Sequence, residues 1–220
     1  MQGCRIGKRS TQRTRVASFG VHTAISLAVL TAGPSLAQEP SAIEWSPSTR
    51  LAWSNFRGTV PSDTEDRRVA ATAGSLTWSY EYTVQWSRAR CRFRIDGITS
   101  QALFHPDRSW VRAGHDNDSV LQHEQGHFDI LQLYKERFDA RTREFVGDMR
   151  DCEGRSERRA TRDTRDRIDR LVGSIYEETW RDYRSRQEAY DRETQHGIDR
   201  GAQSSWTQDL NARLRAEQGG

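Results

Sequence analysis

The sequence predicts an α+β domain: a small antiparallel sheet packed on one long helix, with a second long helix after it. A change of hydrophobic period carries the prediction. Between residues 70 and 112, Leu76, Trp78, Tyr80 and Tyr82 alternate with small or polar residues, and Cys91, Phe93 and Ile95 alternate with arginines. Period two with aromatic and β-branched residues is the pattern of half-buried antiparallel strands, three or four of them here. From residue 120 the period lengthens. Val120, His123, His127, Leu131, Tyr134 and Phe138 recur at three- and four-residue steps, which places them along one helix face. Both histidines are thus expected to point where the apolar residues point, toward the core and the sheet.

The chain begins with a different kind of segment. Arg5, Lys8, Arg9, Arg13 and Arg15 form a basic start without an acid, an apolar stretch runs from Val16 to Ala32, and "GPSLAQE" follows. Basic region, apolar region and the small residues Ser35 and Ala37 form the layout of a secretory signal peptide over 1–37, cut before Gln38. Gly20 and His22 interrupt the apolar part, whereas a bilayer span needs roughly twenty clean apolar residues. Export to a periplasmic or external compartment is the expectation, without stable membrane insertion after cleavage. The leader holds five of the 34 bases and none of the 31 acids, so 29 bases face 31 acids in the remainder. The basic balance belongs to the leader, which argues against nucleic acid as a partner.

Residues 38–220 have the length of one domain. Their first part, to residue 68, is loop-rich, with Pro40, Pro47 and Pro61 and the candidate anchors Leu51, Trp53 and Phe56. The segments 98–104 and 109–112 read as further short strands. Asp118 or Ser119 can cap the first helix, expected to run to about Met149. Residues 153–196 read as the second helix. Its start, 158–170, interleaves acids and bases as a solvated face does, and its stripe runs through Ile168, Leu171, Val172, Ile175, Tyr176, Tyr183 and Tyr190. Gly197 and Gly201 interrupt the pattern, and Trp206, Leu210 and Leu214 mark a short last helix. Cys91 and Cys152 are the cysteines left after the leader, and an even pair in an oxidising compartment reads as a disulfide.

Chemistry concentrates in "LQHEQGHFDI", residues 121–130. His123 and His127 lie one helical turn apart, about 6 Å between Cβ atoms, and two imidazoles so placed can hold one tetrahedral zinc ion (Zn2+). Glu124, rotated about 100° around the helix, can take the proton of a zinc-activated water. With 6 histidines and 14 glutamates in 220 residues, chance supplies on the order of 0.01 such H-E-x-x-H motifs. The expected fold is therefore zincin-like, the sheet packing on this active-site helix. A third ligand must come from elsewhere. The extended zincin motif wants glycine and histidine where this chain has Ile130 and Leu133, and Glu136 and Glu144 lie too far along the helix. His105, His115, His196, Glu177, Glu178 and Glu188 remain as candidates.

"LQHEQGHFDI", "AYDRETQHG" (189–197) and "QSSW" (203–206), with "LAWSNFRG" (51–58) and the "SW" at 109–110, resemble a family of secreted bacterial proteins. It is known as domain of unknown function 922 and described as predicted zinc-dependent proteases. The resemblance covers roughly residues 45–210. It implies H-E-x-x-H chemistry and gives weight to the segment Y-D-x-x-T-x-H-G.

His196 is the expected third ligand, since it ends the second helix and Gly197 permits a left-handed turn that aims it inward. Tyr190 is the expected catalytic oxyanion donor, and Asp191 an outer acceptor orienting an imidazole. The function that follows is a periplasmic or secreted zinc metallopeptidase acting on a peptide or protein substrate. The competing readings are a non-catalytic zinc-binding protein and a cell-envelope interaction protein.

Overall fold

The structure is a computed structural model that describes residues 42–64, 68–87, 90–153 and 156–218. The expected leader over 1–37 and its cut before Gln38 lie outside the described residues. The elements in chain order are β1 (Ile43–Glu44), β2 (Ala70–Ala71), β3 (Gly74–Ser87), β4 (Arg90–Phe104), β5 (Trp110–Val111), α1 (Asp118–Arg143), β6 (Arg150–Asp151), α2 (Glu157–Thr194) and α3 (Arg200–Gln218). This is an α+β architecture with small antiparallel sheets.

The strands β3 and β4 form one long hairpin, pairing from Gly74 opposite Phe104 to Ser87 opposite Arg90. Segment 98–104, expected as a separate strand, is the second half of β4. The register shifts once, between Glu81–Gly97 and Tyr82–Ile95, which leaves Asp96 as an extra residue on β4. Because side chains alternate faces, one inserted residue exchanges the inward-facing set of a strand. Cys91, Phe93 and Ile95 point inward before the bulge, Ala102 and Phe104 after it, while β3 keeps Leu76, Tyr80 and Tyr82 buried throughout. The other edge of β4 takes β1 at one end and β6 at the other. Apart from this sheet, β2 pairs with β5, Ala70 opposite Val111 and Ala71 opposite Trp110.

The helix α1 starts at Asp118, itself one of the expected caps. Its N-cap is Asn117, whose side chain accepts from the Val120 N–H at 3.1 Å. It ends at Arg143 rather than near Met149, because the chain turns back to the sheet. Gly147 takes φ +97° and its N–H donates to the Ile95 carbonyl at 2.9 Å.

Both flanks of α1 are buried. Phe128, Leu131 and Phe138 join the main core with Phe104, Leu76 and Tyr82 from the sheet and Ile168, Val172 and Tyr176 from α2. Ile130 and Tyr134 join Tyr190, Trp206 and Leu210 in a second core against the end of α2 and α3. A helix enclosed on two sides has no single apolar stripe, so the sheet-facing orientation implied for the histidines is corrected: they face α2 and α3. Along α2, Ala160, Thr164, Ile168 and Val172 are buried at four-residue steps, and the arginines and aspartates among them form the expected solvated face. Leu51 and Phe56 are buried as expected. The Leu51 N–H donates to Gln125 and the Trp45 indole to Asp129, fastening the early loop to α1.

A disulfide joins Cys91, on β4, to Cys152, just after β6. Among the described residues no helix is long and apolar enough to cross a membrane.

Candidate metal centre

Three elements meet at His123. It stands with Glu124 and His127 on the second and third turns of α1; α2 brings Gln187, Tyr190, Asp191 and Thr194 past it; α3 brings Gln203. Helical spacing sets the first triad, and the two Nε2 atoms lie 3.1 Å apart.

The hydrogen bonds around His123 fix its tautomer. The Tyr190 hydroxyl donates to the His123 carbonyl at 3.1 Å, so it must accept from the Gln203 amide nitrogen, 2.6 Å away. The amide oxygen of Gln203 then faces His123 Nδ1 at 3.1 Å, and an amide oxygen can only accept. Nδ1 therefore carries the proton. His127 is fixed the same way: the Gln187 amide nitrogen donates to the His127 carbonyl at 2.9 Å, turning its oxygen onto His127 Nδ1. With both Nδ1 atoms committed outward, both Nε2 atoms face the same point.

Asp191 stands at that point. Its Oδ1 lies 3.1 Å from His123 Nε2, 3.0 Å from His127 Nε2 and 3.5 Å from His196 Nδ1. Two neutral imidazole lone pairs and a carboxylate oxygen repel one another unless a cation lies among them. A proton on His127 satisfies part of this. Burial pushes its imidazole pKa down, but the Asp191 hydrogen bond and charge, with the Glu124 charge, override burial and raise it to about 9. On Asp191, burial works upward and is outweighed by the two histidines, which hold the carboxyl well below the usual carboxylate range. Glu124 is 3% exposed, and its Oε2 is buried without a hydrogen-bond partner among the described residues. A buried carboxylate oxygen left unpaired is costly. It suits a site that receives a water or cation.

Two glycines permit this close packing. A Cβ on Gly126 would lie 2.1 Å from the Tyr190 hydroxyl. Gly197 has φ +84°, and its Cβ would lie 2.9 Å from that of His123. Replacing Gly126 by alanine should destabilise the fold by about 1–3 kcal/mol through overpacking, more than the helix-propensity gain of about 1 kcal/mol can offset. Chemical denaturation checks this; a more stable alanine variant would contradict the packing described.

The structure brings His123, Glu124, His127, Asp191 and His196 together along one cleft, whose wall includes residues 68–72, Tyr183 and Gln187. The groups His123–Glu124–His127 and His123–Asp191–His196 each have ligand atoms close enough to hold a metal ion. His196 is half-exposed. It lies in a left-handed run that begins earlier than expected, with φ 50° at Gln195, 56° at His196 and 84° at Gly197. His115, Glu177, Glu178 and Glu188 are exposed and outside the cleft wall, and His105 hydrogen-bonds Ser75.

Two expected roles are corrected. The Tyr190 hydroxyl is buried between the His123 carbonyl and Gln203, and its ring stacks on His123 at 4.6 Å and 13°. It braces the imidazole from behind instead of donating into the cleft. Asp191 sits on the Nε2 side of His123 and His127, so it is not the outer acceptor of either motif histidine; the Nδ1 it approaches is that of His196, at 3.5 Å. The acceptors found at the motif histidines, Gln187 and Gln203, were not anticipated. Gln187 shares a helix face with Tyr190, Asp191 and Thr194, a readable signal; Gln203 opens the "QSSW" segment of the resemblance, but no periodicity points it at His123, since only the turn into α3 brings it back.

Compared with family models, curated proteins and solved structures, the chain matches none.

The raised His127 pKa gives metal-free protein a pH dependence. A group whose folded pKa lies above its ordinary value contributes stability in full below about pH 6.5 and loses it as pH rises through about 9. The unfolding free energy of metal-free protein, measured by chemical denaturation, should fall over that window by up to about 3 kcal/mol, and His127→Ala should flatten the slope. A wild-type profile level from pH 6 to 10 would contradict the assignment.

Proposed function

We propose that the chain is an exported zinc-dependent metallopeptidase with a zincin-like active site. The observation that carries this reading is the convergence of two imidazole Nε2 atoms, each locked by a glutamine at Nδ1, beside the unpartnered Oε2 of Glu124. Bound to one zinc at about 2.0–2.1 Å, two tetrahedral ligand atoms stand about 3.3 Å apart, and the 3.1 Å separation of the two Nε2 atoms fits. His123, His127 and His196 would hold the metal. Zinc there supplies Lewis acidity, bringing the pKa of a water toward 7 and polarising a carbonyl.

The protein's own residues supply the remainder. Glu124, adjacent to the first ligand and withdrawn from solvent, accepts the water's proton and can return it to the leaving amine. Tyr190, Gln203 and Gln187 keep the imidazoles in the tautomer that leaves Nε2 free. A peptide suits the cleft because the extended backbone of residues 68–72 lines it while β2 is paired on one side by β5. Such an edge can pair with an extended chain. The leader motif and the Cys91–Cys152 bond support export, and the resemblance to secreted H-E-x-x-H proteins points the same way.

The test is hydrolysis of a mixed fluorogenic peptide set by the exported protein, before and after metal stripping and after return of zinc. Activity should vanish with the chelator and come back with zinc. Cleavage indifferent to chelation would sink the metallopeptidase reading. Stoichiometric zinc with no cleavage of any peptide would favour a non-catalytic zinc-binding protein.

A further inference from the structure

We propose that Asp191 is itself a metal ligand, an inference that rests on the metal-binding part of the reading above and not on its peptidase part. An outer-sphere carboxylate engages the ring N–H pointing away from the metal. On the two motif histidines those positions are taken: His123 Nδ1 by Gln203 and His127 Nδ1 by Gln187. Asp191 Oδ1 instead meets the two Nε2 atoms at 3.1 and 3.0 Å and His196 Nδ1 at 3.5 Å. These separations bracket the edge of about 3.3 Å that a tetrahedral zinc site requires between ligand atoms. One oxygen is thus at vertex distance from all three imidazoles.

The position is also a firm one. Asp191 lies on the last turn of α2, beside the fully buried Tyr190 that stacks on His123, and its carbonyl accepts the His196 N–H at 2.9 Å. One helix end therefore sets both Asp191 and His196. The carboxylate halves the net charge a divalent ion would bring into a site otherwise built of neutral imidazoles. It would also occupy one of the coordination positions of the bound ion.

The experiment measures binding, not turnover. The exported protein is stripped of metal, its zinc affinity is measured by competition with a chromophoric chelator, and visible spectra are recorded with cobalt(II) in place of zinc. Gln187→Ala, which removes an outer acceptor, should weaken zinc about 10- to 100-fold and leave the cobalt band positions unchanged. Asp191→Asn should weaken zinc by more than about 100-fold, beyond that outer-sphere range, and shift the cobalt bands. Asp191→Cys, a second variant independent of the first, should show a thiolate-to-cobalt charge-transfer band. Asp191→Asn that behaves like Gln187→Ala, or Asp191→Cys without the new band, overturns the proposal. Wild-type protein that takes up neither metal overturns both this proposal and the function above. Wild-type protein that binds zinc but cleaves no peptide removes only the peptidase reading.

Discussion

Glu124→Gln should bind zinc with unchanged stoichiometry and lose roughly 10²- to 10⁴-fold in peptide hydrolysis, the usual weight of general-base catalysis. Glutamine keeps the size of the side chain and removes its capacity to take a proton. The structure adds a second expectation. Glu124 is 3% exposed, and its Oε2 has no hydrogen-bond partner among the described residues, so a neutral amide should be easier to bury than the carboxylate. The variant should match or exceed wild type in denaturation midpoint while its kcat/KM collapses. That opposition separates a catalytic carboxylate from a structural one, whose loss would lower stability and activity together. Full hydrolysis by Glu124→Gln would remove the general-base role. Loss of zinc from the variant would instead make Glu124 a ligand, which the His123–Glu124–His127 grouping makes geometrically accessible.

The parts of this site that could be read in the sequence are those set by local geometry. His123, Glu124 and His127 sit within five residues, and helical periodicity alone puts the histidines on one face and the glutamate to the side. The alternating strands were readable for the same reason, since alternation records burial directly; that 98–104 continues β4 in one long hairpin was not. The Asp96 bulge was not, because it leaves both halves of β4 alternating and merely exchanges which half-set faces inward. The direction α1 turns its histidines was misread because periodicity reports that a flank is buried, not what buries it. Ile130 and Tyr134 bury one flank and Phe128 and Leu131 the other, so apolar neighbours did not discriminate sheet from helix. His196 could be placed near the site from the end of a helical stripe and the following glycine. Its relation to Asp191 could not, because Asp191 and His196 are brought to the same point by three consecutive left-handed residues, two of which are not glycine. Tyr190 and Gln203 illustrate the remaining gap. Each role depends on the other through one hydroxyl that donates to His123 and accepts from Gln203, and such reciprocity exists only once α3 has packed.

Removing the Cys91–Cys152 disulfide should lower the unfolding free energy by about 4 kcal/mol on the chain-entropy account and leave the metal centre of the folded protein intact. The two cysteines are 61 residues apart, a long loop whose closure strongly restricts the unfolded chain. The loop contains β4 beyond its first two residues, β5, all of α1 with the three motif residues, and β6. In the folded state the same connection is held by other means. The Cys152 N–H donates to the Cys91 carbonyl at 3.0 Å, β6 pairs with Arg92 and Phe93, and Val146 bridges to Ile95. The native position of the α1–α2 connection thus survives loss of the bond, and most of the effect falls on the unfolded state. The site is insulated further by distance, because Asp191 lies near the far end of a helix that begins only after Cys152. Alanine at both positions is the suitable variant, since Cys91 is buried and a serine hydroxyl there would need a partner. Its thermal midpoint should fall by roughly 10 °C, given about 2–4 °C per kcal/mol for a chain of this size. Its zinc affinity and any kcat/KM, measured well below that midpoint, should stay at wild-type values. An unchanged midpoint would show that the bond constrains little. A fall in zinc affinity at full folding would mean that the β4–β6 end of the sheet and the far end of α2 are coupled more tightly than their separation along the helix implies.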